Sequence, residues 1–393
     1  MKTLKFLIAG FSVLIGIGVV GTGVTLGQLY STNQTVYEAS QNADLDVNAL
    51  ENLYIESDVA VKIIPTEGKP RVEFEAYGTG LLVPEPKYEL EVTSEGKSSY
   101  INLKETQAPQ FHIFTNNLDR ELVIYLPEKD INTLKVQTNQ GSYYYGGDKS
   151  FVYTSNTNIK ELSLDVGTID LSLNGSYNDI DIDSENGSID ITSATPATVD
   201  IDGSSDIKLS GQLQEITLGG AYASRSNKIL INSQLEAKIN INYDYGNVIL
   251  EGKVKDIKMN TQGGSLTVNS TTPYNIFLKG SDYIDVNLKG MIQTATVEGY
   301  NGDVRLYPTG TPKRIEILGE SLNVNAVLPE DISGFEIKKN TNGYDESYDG
   351  NRFYIDFEAK SENVNDQLRR IYFGDEAMKM FIGSTQGDVY ITK

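Results

Sequence analysis

Hydrophobic residues alternate with polar residues along most of the chain after Leu50. Leu162, Leu164 and Val166 follow this pattern, with a polar or charged residue between each pair. A hydrophobic period of two predicts β-strands that bury one face. Apolar runs at helical spacing are scarce, and only residues 362–380 are compatible with a short helix, equally well with a loop. The pattern therefore predicts an all-β body.

A longer period lies on top of the alternation. A turn residue precedes the polar-apolar pattern at intervals of 18 to 22 residues, about 19 on average, at Gly167, Gly187, Ser205, Asn227, Gly246, Gly264, Asp282, Gly302 and Glu320. Gly141 and Gly387 are the expected first and last members, with an insertion before Gly387. A second strand precedes most of these turns, so each unit holds two strands. One such unit cannot bury its apolar face alone, and stacked units would form a continuous core.

Two topologies satisfy this repeat. A parallel β-solenoid stacks equivalent strands of successive units, whereas an antiparallel meander pairs neighbouring strands through tight turns. Asn186-Gly187 and Asn301-Gly302 would suit such hairpin turns. The regular period and the small residues at matched corners favour a β-solenoid-like stack of two-strand repeats.

The N-terminus has the pattern of a membrane segment. Residues 6–29 are strongly apolar and uncharged, and Lys2 and Lys5 precede them. A helix of this length spans a hydrocarbon core of roughly 30 Å. The apolar run exceeds that of a cleaved signal peptide, and no small-x-small cleavage site precedes Tyr30. We therefore expect one uncleaved transmembrane helix with the lysines in the cytoplasm and the body outside the cell.

These patterns divide the chain into four parts. Residues 1–30 form the predicted transmembrane signal anchor, and residues 31–49 form a polar stalk. Residues 50–135 form an N-terminal β part, and residues 136–393 form the β-strand repeat region. The expected location is the cell membrane, with a single pass and an extracytoplasmic body.

Several motifs resemble a known bacterial family. Residues 122–127 read LVIYLP, and residues 134–141 read LKVQTNQG. Residues 186–191 read NGSIDI, and residues 57–63 and 386–391 resemble an opening and a closing strand. This order is similar to the bacterial "putative adhesin" β-strand-repeat family over roughly residues 50–393. The resemblance implies an all-β envelope domain, with some relatives linked to envelope stress or antimicrobial peptides, and it carries no catalytic residues.

Composition removes many kinds of chemistry. The chain carries a formal net charge of −21, and the part after residue 34 carries 31 basic against 54 acidic residues, a formal −23. Such an acidic body repels nucleic acid. The chain has no cysteine and one histidine, His112, which excludes thiolate metal sites and multi-histidine sites. We expect no catalytic, cofactor-binding or metal-binding residues, and no cofactor.

Two sets of residues are nevertheless candidates for binding. Asp179, Asp181 and Asp183 share one strand face in a pattern similar to a calcium loop, but alternate strand positions stand about 7 Å apart, so a solvated acidic face is favoured over calcium. Tyrosines could form aromatic platforms for a glycan or a protein, at Tyr143, Tyr144, Tyr145, Tyr222, Tyr243, Tyr245, Tyr283, Tyr300 and Tyr307.

The sequence thus predicts a membrane-anchored, extracytoplasmic, non-catalytic protein that acts by surface recognition, adhesin-like or linked to envelope stress. Its expected partners are the membrane, through the N-terminal helix, and a protein, a glycan or a cationic peptide. One alternative is a structural or assembly partner of another membrane protein. A second alternative is a polysaccharide-active β-helix enzyme, which would need two carboxylates at fixed separation in a cleft.

Overall fold

The computed structural model describes residues 35–83, 86–107, 111–138, 150–203, 206–220, 227–332, 334–340, 353–357, 360–365, 368–374, 378–384 and 387–393. These ranges hold 21 strands and one 3-10 turn, Val47–Ala49. No helix within them has the length and apolar character needed to cross a membrane. The anchor predicted for residues 1–30 lies outside the described residues.

The strands are numbered in chain order. They are β1 Thr35–Asp44, β2 Asn52–Ser57, β3 Ala60–Pro65, β4 Arg71–Val83, β5 Lys87–Glu95, β6 Ser98–Gln107, β7 Phe111–Leu126, β8 Ile131–Thr138, β9 Ser150–Ser155, β10 Ile159–Gly175, β11 Tyr177–Gly203, β12 Asp206–Gly220, β13 Lys228–Gly280, β14 Tyr283–Pro308, β15 Arg314–Val327, β16 Gly334–Asn340, β17 Phe353–Ile355, β18 Lys360–Asn365, β19 Leu368–Gly374, β20 Met378–Ser384 and β21 Val389–Thr392.

Equivalent strands of successive repeats pair in parallel, which supports the solenoid and not the antiparallel meander. Leu162 pairs with Ile180, 18 residues away, and Val297 pairs with Ile317, 20 residues away. Several strands run longer than one repeat because the backbone stays extended through a corner. Each coil therefore contributes one segment to each of two layers, and alternate apolar side chains of both layers fill one core.

Each layer begins and ends with strands outside the regular coils. We call layer 1 the one that runs β5–β6–β2–β8 into the first half of β10, and ends at β20, β16, β19 and β18. Layer 2 runs β1–β4–β7–β3–β9 into the second half of β10, and ends at β21 and β17. The parallel stacking therefore continues across the boundary expected at residue 135.

The corners explain why small residues recur. Gly187, Gly264 and Gly302 have φ of 128°, 127° and 138°, as expected for repeat corners that require a left-handed backbone. The opposite corner holds a column in which glycine and serine alternate along the stack: Gly175, Ser193, Gly211, Ser233, Gly252, Ser270 and Gly290. The buried serine hydroxyls close the turn, because Ser193 donates to the Thr195 carbonyl oxygen at 2.7 Å and Ser233 to that of Leu235 at 2.8 Å.

The structure places residues 35–49 of the predicted polar stalk (residues 31–49) in the folded body. Thr35–Asp44 form β1, which pairs with β4 in antiparallel register along its whole length. Tyr37, Leu45 and Leu50 are buried in the core. The polar side chains that suggest a stalk belong to the exposed positions of an edge strand.

The C-terminal region confirms an insertion before Gly387 and corrects the reading of residues 362–380. β15 pairs directly with β20 and β21, so Val324 lies opposite Val389 and the intervening strands are inserted. The described parts of residues 362–380 lie in β18, β19 and β20, and no helix or long loop forms there. β16 pairs with β19 and β20, and that sheet packing overrides the weak helical spacing.

Candidate interaction surface

Parallel stacking brings acidic side chains of successive coils side by side on the outer face of layer 1. Glu161 lies opposite Asp179, and Asp165 lies opposite Asp183. Gly203 sits directly over Ser184, so close that a Cβ added at Gly203 would collide with the Ser184 carbonyl oxygen. The later part of β11, which belongs to the next coil, therefore places Asp200 and Asp202 beside Asp181 and Asp183. We call this set the acidic ladder: Glu161, Asp165, Asp179, Asp181, Asp183, Asp200 and Asp202.

The ladder carboxylates repel one another. All seven residues are exposed, and neighbouring strands in a sheet lie about 4.8 Å apart. Partial burial and the charges of Asp165, Asp202, Asp181 and Glu185 raise the pKa of Asp183. Partial burial and the charges of Asp181 and Asp202 raise the pKa of Asp200. Such a field favours a cation that approaches from solvent.

Opposite charge within the protein does not neutralise the ladder. Among the described residues, no ion pair involves the six ladder aspartates. On the outer face of layer 2, by contrast, Asp190 accepts from the Lys208 ammonium at 2.7 Å. The outer face of layer 1 therefore presents its negative charge to solvent.

The structure shows how the aspartates that resemble a calcium loop are placed relative to other acidic residues. Asp179, Asp181 and Asp183 do alternate along one strand segment, but the register also brings acidic residues of the preceding coil opposite them, Glu161 opposite Asp179 and Asp165 opposite Asp183. Even so, the described residues contain no group of three histidine, cysteine, aspartate or glutamate side chains placed to hold a metal ion. The arrangement is an extended charged surface, not a closed coordination site.

An aromatic pair, half-buried Tyr54 and exposed Tyr100, lies on the same outer face. The rings of Tyr54 and Tyr100 stack with centroids 4.9 Å apart and an interplanar angle of 11°, and Tyr100 is 42% exposed. The register places Tyr54 opposite Lys135, and Lys135 opposite Ser163, which pairs with Asp181. The aromatic pair and the ladder are thus a few strands apart along one row of the sheet.

Sequence reasoning missed this pair because its members lie far apart in the chain. Of the tyrosines that it proposed, Tyr283 and Tyr300 are exposed, at 48% and 55%. Tyr243 is instead buried in the core and lies under Gly220, where its ring fills the space of a missing side chain. Burial raises the pKa of the Tyr243 phenol. Its hydroxyl finds no hydrogen-bond partner among the described residues.

The remaining predicted positions divide as follows. Tyr245 and Tyr307 are half-buried. Tyr143, Tyr144, Tyr145 and Tyr222 lie outside the described residues, as does the side chain of His112, whose backbone pairs with Leu82.

A buried polar cluster joins the two layers near the N-terminal end. Arg120 of β7 donates to the Tyr88 hydroxyl at 2.9 Å and to the Glu105 carboxylate at 3.2 Å. The side chains of Arg120 and Glu105 are only 9% and 10% exposed. Burial raises the pKa of Glu105, while Arg120 opposes that rise. The sequence offered no signal for this cluster, because its three members come from three strands.

Comparison with known proteins assigns the fold family. The family model described as Toastrack DUF4097 matches residues 50–392. A crystal structure of a "putative cell adhesion protein" from Clostridium sporogenes is similar over 91% of this chain and 99% of its own, with 12% identity and a TM-score of 0.21. No curated protein matches the chain significantly. The family match confirms the resemblance to adhesin-like β-repeat proteins that the motifs indicate.

Proposed function

The chain belongs to the Toastrack DUF4097 family, and from that premise we propose that it is a membrane-anchored, non-catalytic surface protein that binds cationic ligands. The acidic ladder carries the proposal, because its charge faces solvent and is not neutralised within the described residues. The proposed ligand is a basic peptide or a basic segment of a protein. The anchor is the apolar segment at residues 6–29.

The stacked Tyr54 and Tyr100 give such a ligand a second point of contact. Arginine and lysine side chains are attracted to the faces of aromatic rings within about 6 Å of the centroid. A basic peptide that runs across the strands would meet the aromatic pair at one end and the ladder at the other. The proposed contacts lie on the outer face of a sheet, so recognition depends on charge and on the exposed strand positions.

The test compares two triple variants of equal net charge. The ladder variant carries Asp181→Asn, Asp183→Asn and Asp200→Asn. The control carries Asp44→Asn, Asp282→Asn and Glu330→Gln, at exposed positions outside the ladder. Full-length protein in lipid nanodiscs is titrated with a fluorescent basic peptide at two salt concentrations.

We expect the ladder variant to bind the peptide about tenfold or more weakly, because each charge-assisted contact contributes roughly 1 kcal/mol. The control should bind like the unmodified protein, and binding should weaken with salt because the charges are exposed. Equal losses of peptide affinity in both variants would show that binding depends on net charge alone. That result would overturn the role of the ladder. Binding that does not respond to salt would overturn the electrostatic proposal.

A further inference from the structure

Two N-terminal strands of layer 2, β4 and β7, extend beyond β3, the strand that connects them to the stack. β3 pairs with β7 only over residues 121–126. Residues 111–120 of β7 continue beyond that point and pair with residues 76–83 of β4. At about 3.4 Å per residue, ten strand residues reach roughly 34 Å. We call this part of β4 and β7 the overhang.

The outer end of the overhang differs in composition from the rest of the body. Residues 78–83 and 111–118 contain no aspartate, glutamate, lysine or arginine, in a body with a formal charge of −23. In register, Leu81 lies opposite Ile113 and Val83 lies opposite Phe111. Leu82 and Phe114 complete the apolar set. We call residues 81–83 and 111–114 the ribbon tip.

The chain enters the fold beside the ribbon tip. Thr35, the first described residue, pairs with Gly80, and β1 then runs away from the tip to Asp44 opposite Arg71. The apolar run at residues 6–29 ends five residues before β1. Five residues span at most about 18 Å. The ribbon tip therefore lies on the side of the fold from which the predicted membrane segment arrives.

The base of the overhang is held in place. Arg120 binds Glu105 and Tyr88 across the two layers. The Gln41 side chain of β1 donates to the Tyr88 carbonyl oxygen at 2.8 Å and accepts from the Leu90 amide at 2.9 Å. These contacts fix the direction of the overhang relative to the stack.

We propose that the ribbon tip inserts into the interface of the membrane that holds the N-terminal segment. Apolar residues free of charge enter the lipid boundary favourably, whereas the acidic body is repelled from anionic lipid. The tip would then fix how the stack stands on the membrane. This inference rests on the membrane anchor of the proposed function.

The absence of cysteine makes the test direct. Leu82→Cys and Ile113→Cys each place a single thiol in the tip, and Tyr300→Cys places one at an exposed position of β14. Each full-length variant is labelled with an environment-sensitive fluorophore and reconstituted in vesicles of phosphatidylcholine and phosphatidylglycerol. Circular dichroism confirms the β content of each variant, and nitroxide lipids and aqueous iodide serve as the two quenchers.

We expect the label at either tip position to show blue-shifted emission and to be quenched by the lipid nitroxide. The label at position 300 should be quenched by iodide alone. Iodide quenching of both tip labels, in protein that alkaline carbonate does not strip from the vesicles, would overturn the tip while the anchor stands. Protein that carbonate strips from the vesicles would overturn the anchor and, with it, the tip proposal that rests on the anchor.

Discussion

Backbone contact between coils sets the strongest constraint on single residues. Gly211 has a φ of 96°, and an added Cβ would collide with the Ser193 carbonyl oxygen of the preceding coil. Neither can move easily, because both belong to the parallel ladder. Glycine at this corner therefore answers two requirements at once, the left-handed backbone and the close approach of a neighbouring strand.

The two requirements can be separated by experiment. Gly96 also has a positive φ, 60°, but no atom lies within 4 Å of its added Cβ. We expect Gly96→Ala to lower the free energy of unfolding by about 1 kcal/mol through backbone strain alone. Gly211→Ala should lower it by about 3 kcal/mol or more. Chemical denaturation measures both, and equal losses would show that the coils yield to the new methyl group.

Arg120 is the second position at which a single change should matter. Arg120→Met leaves Glu105 and the Tyr88 hydroxyl buried without their donor, so we expect a loss of about 3 kcal/mol in the free energy of unfolding. Arg314→Met removes a guanidinium that is 66% exposed and pairs with Glu316, and should cost less than about 0.5 kcal/mol. Denaturant titration of both variants decides the matter. A small loss at Arg120 would mean that water replaces the lost donor.

At the scale of the strand, the acidic ladder weakens the stack that carries it. The raised pKa of Asp183 and of Asp200 means that the folded state binds their protons more tightly than the unfolded chain. Their contribution to stability is therefore complete below the ordinary aspartate pKa of about 3.9. This contribution to stability is lost as the pH rises through the raised pKa values of Asp183 and Asp200.

Replacement of these carboxylates should stabilise the protein at neutral pH. We expect Asp183→Asn with Asp200→Asn to raise the melting temperature at pH 7 and low salt. The gain should shrink at high salt and disappear near pH 3. Asp190→Asn, which removes the partner of Lys208, should give no such gain. Thermal unfolding followed by circular dichroism tests this, and a lower melting temperature for the double variant at pH 7 would contradict the repulsion.

The sequence predicts the elements that repeat better than those that occur once. Period-two alternation and glycine spacing predict the coils and the corners at Gly187 and Gly302, and they favour parallel stacking. They do so because every coil repeats the same two strands and the same turns. The edge strand β1 occurs only once, so no repeated pattern in the sequence identifies it as a strand. Its polar side chains therefore suggest a stalk. Sets of surface residues are harder to predict, because the Tyr54–Tyr100 stack forms only after two strands 46 residues apart in the chain lie side by side. The sequence does indicate Asp179, Asp181 and Asp183 as one acidic face, but their acidic neighbours come from adjacent coils.

At the scale of the whole molecule, charge and apolar character lie at different places. The ladder occupies the outer face of layer 1, whereas the ribbon tip ends an overhang of layer 2 beside the chain entry at Thr35. The acidic ladder and the ribbon tip share no residue, so a substitution in one set leaves the other set unchanged.

The insertion between β15 and the last coil also affects the order in which strands can pair during synthesis. In the middle of the stack a coil finds its partner about 20 residues upstream, so it can dock as soon as it has been made. The strand at Val324 also pairs with Val304 upstream, but its other edge is covered by the strand at Val389, 65 residues downstream. Until the strand at Val389 emerges, the growing end of the solenoid keeps one open row of backbone donors and acceptors. Closure of this edge of the stack therefore follows synthesis of the whole insertion.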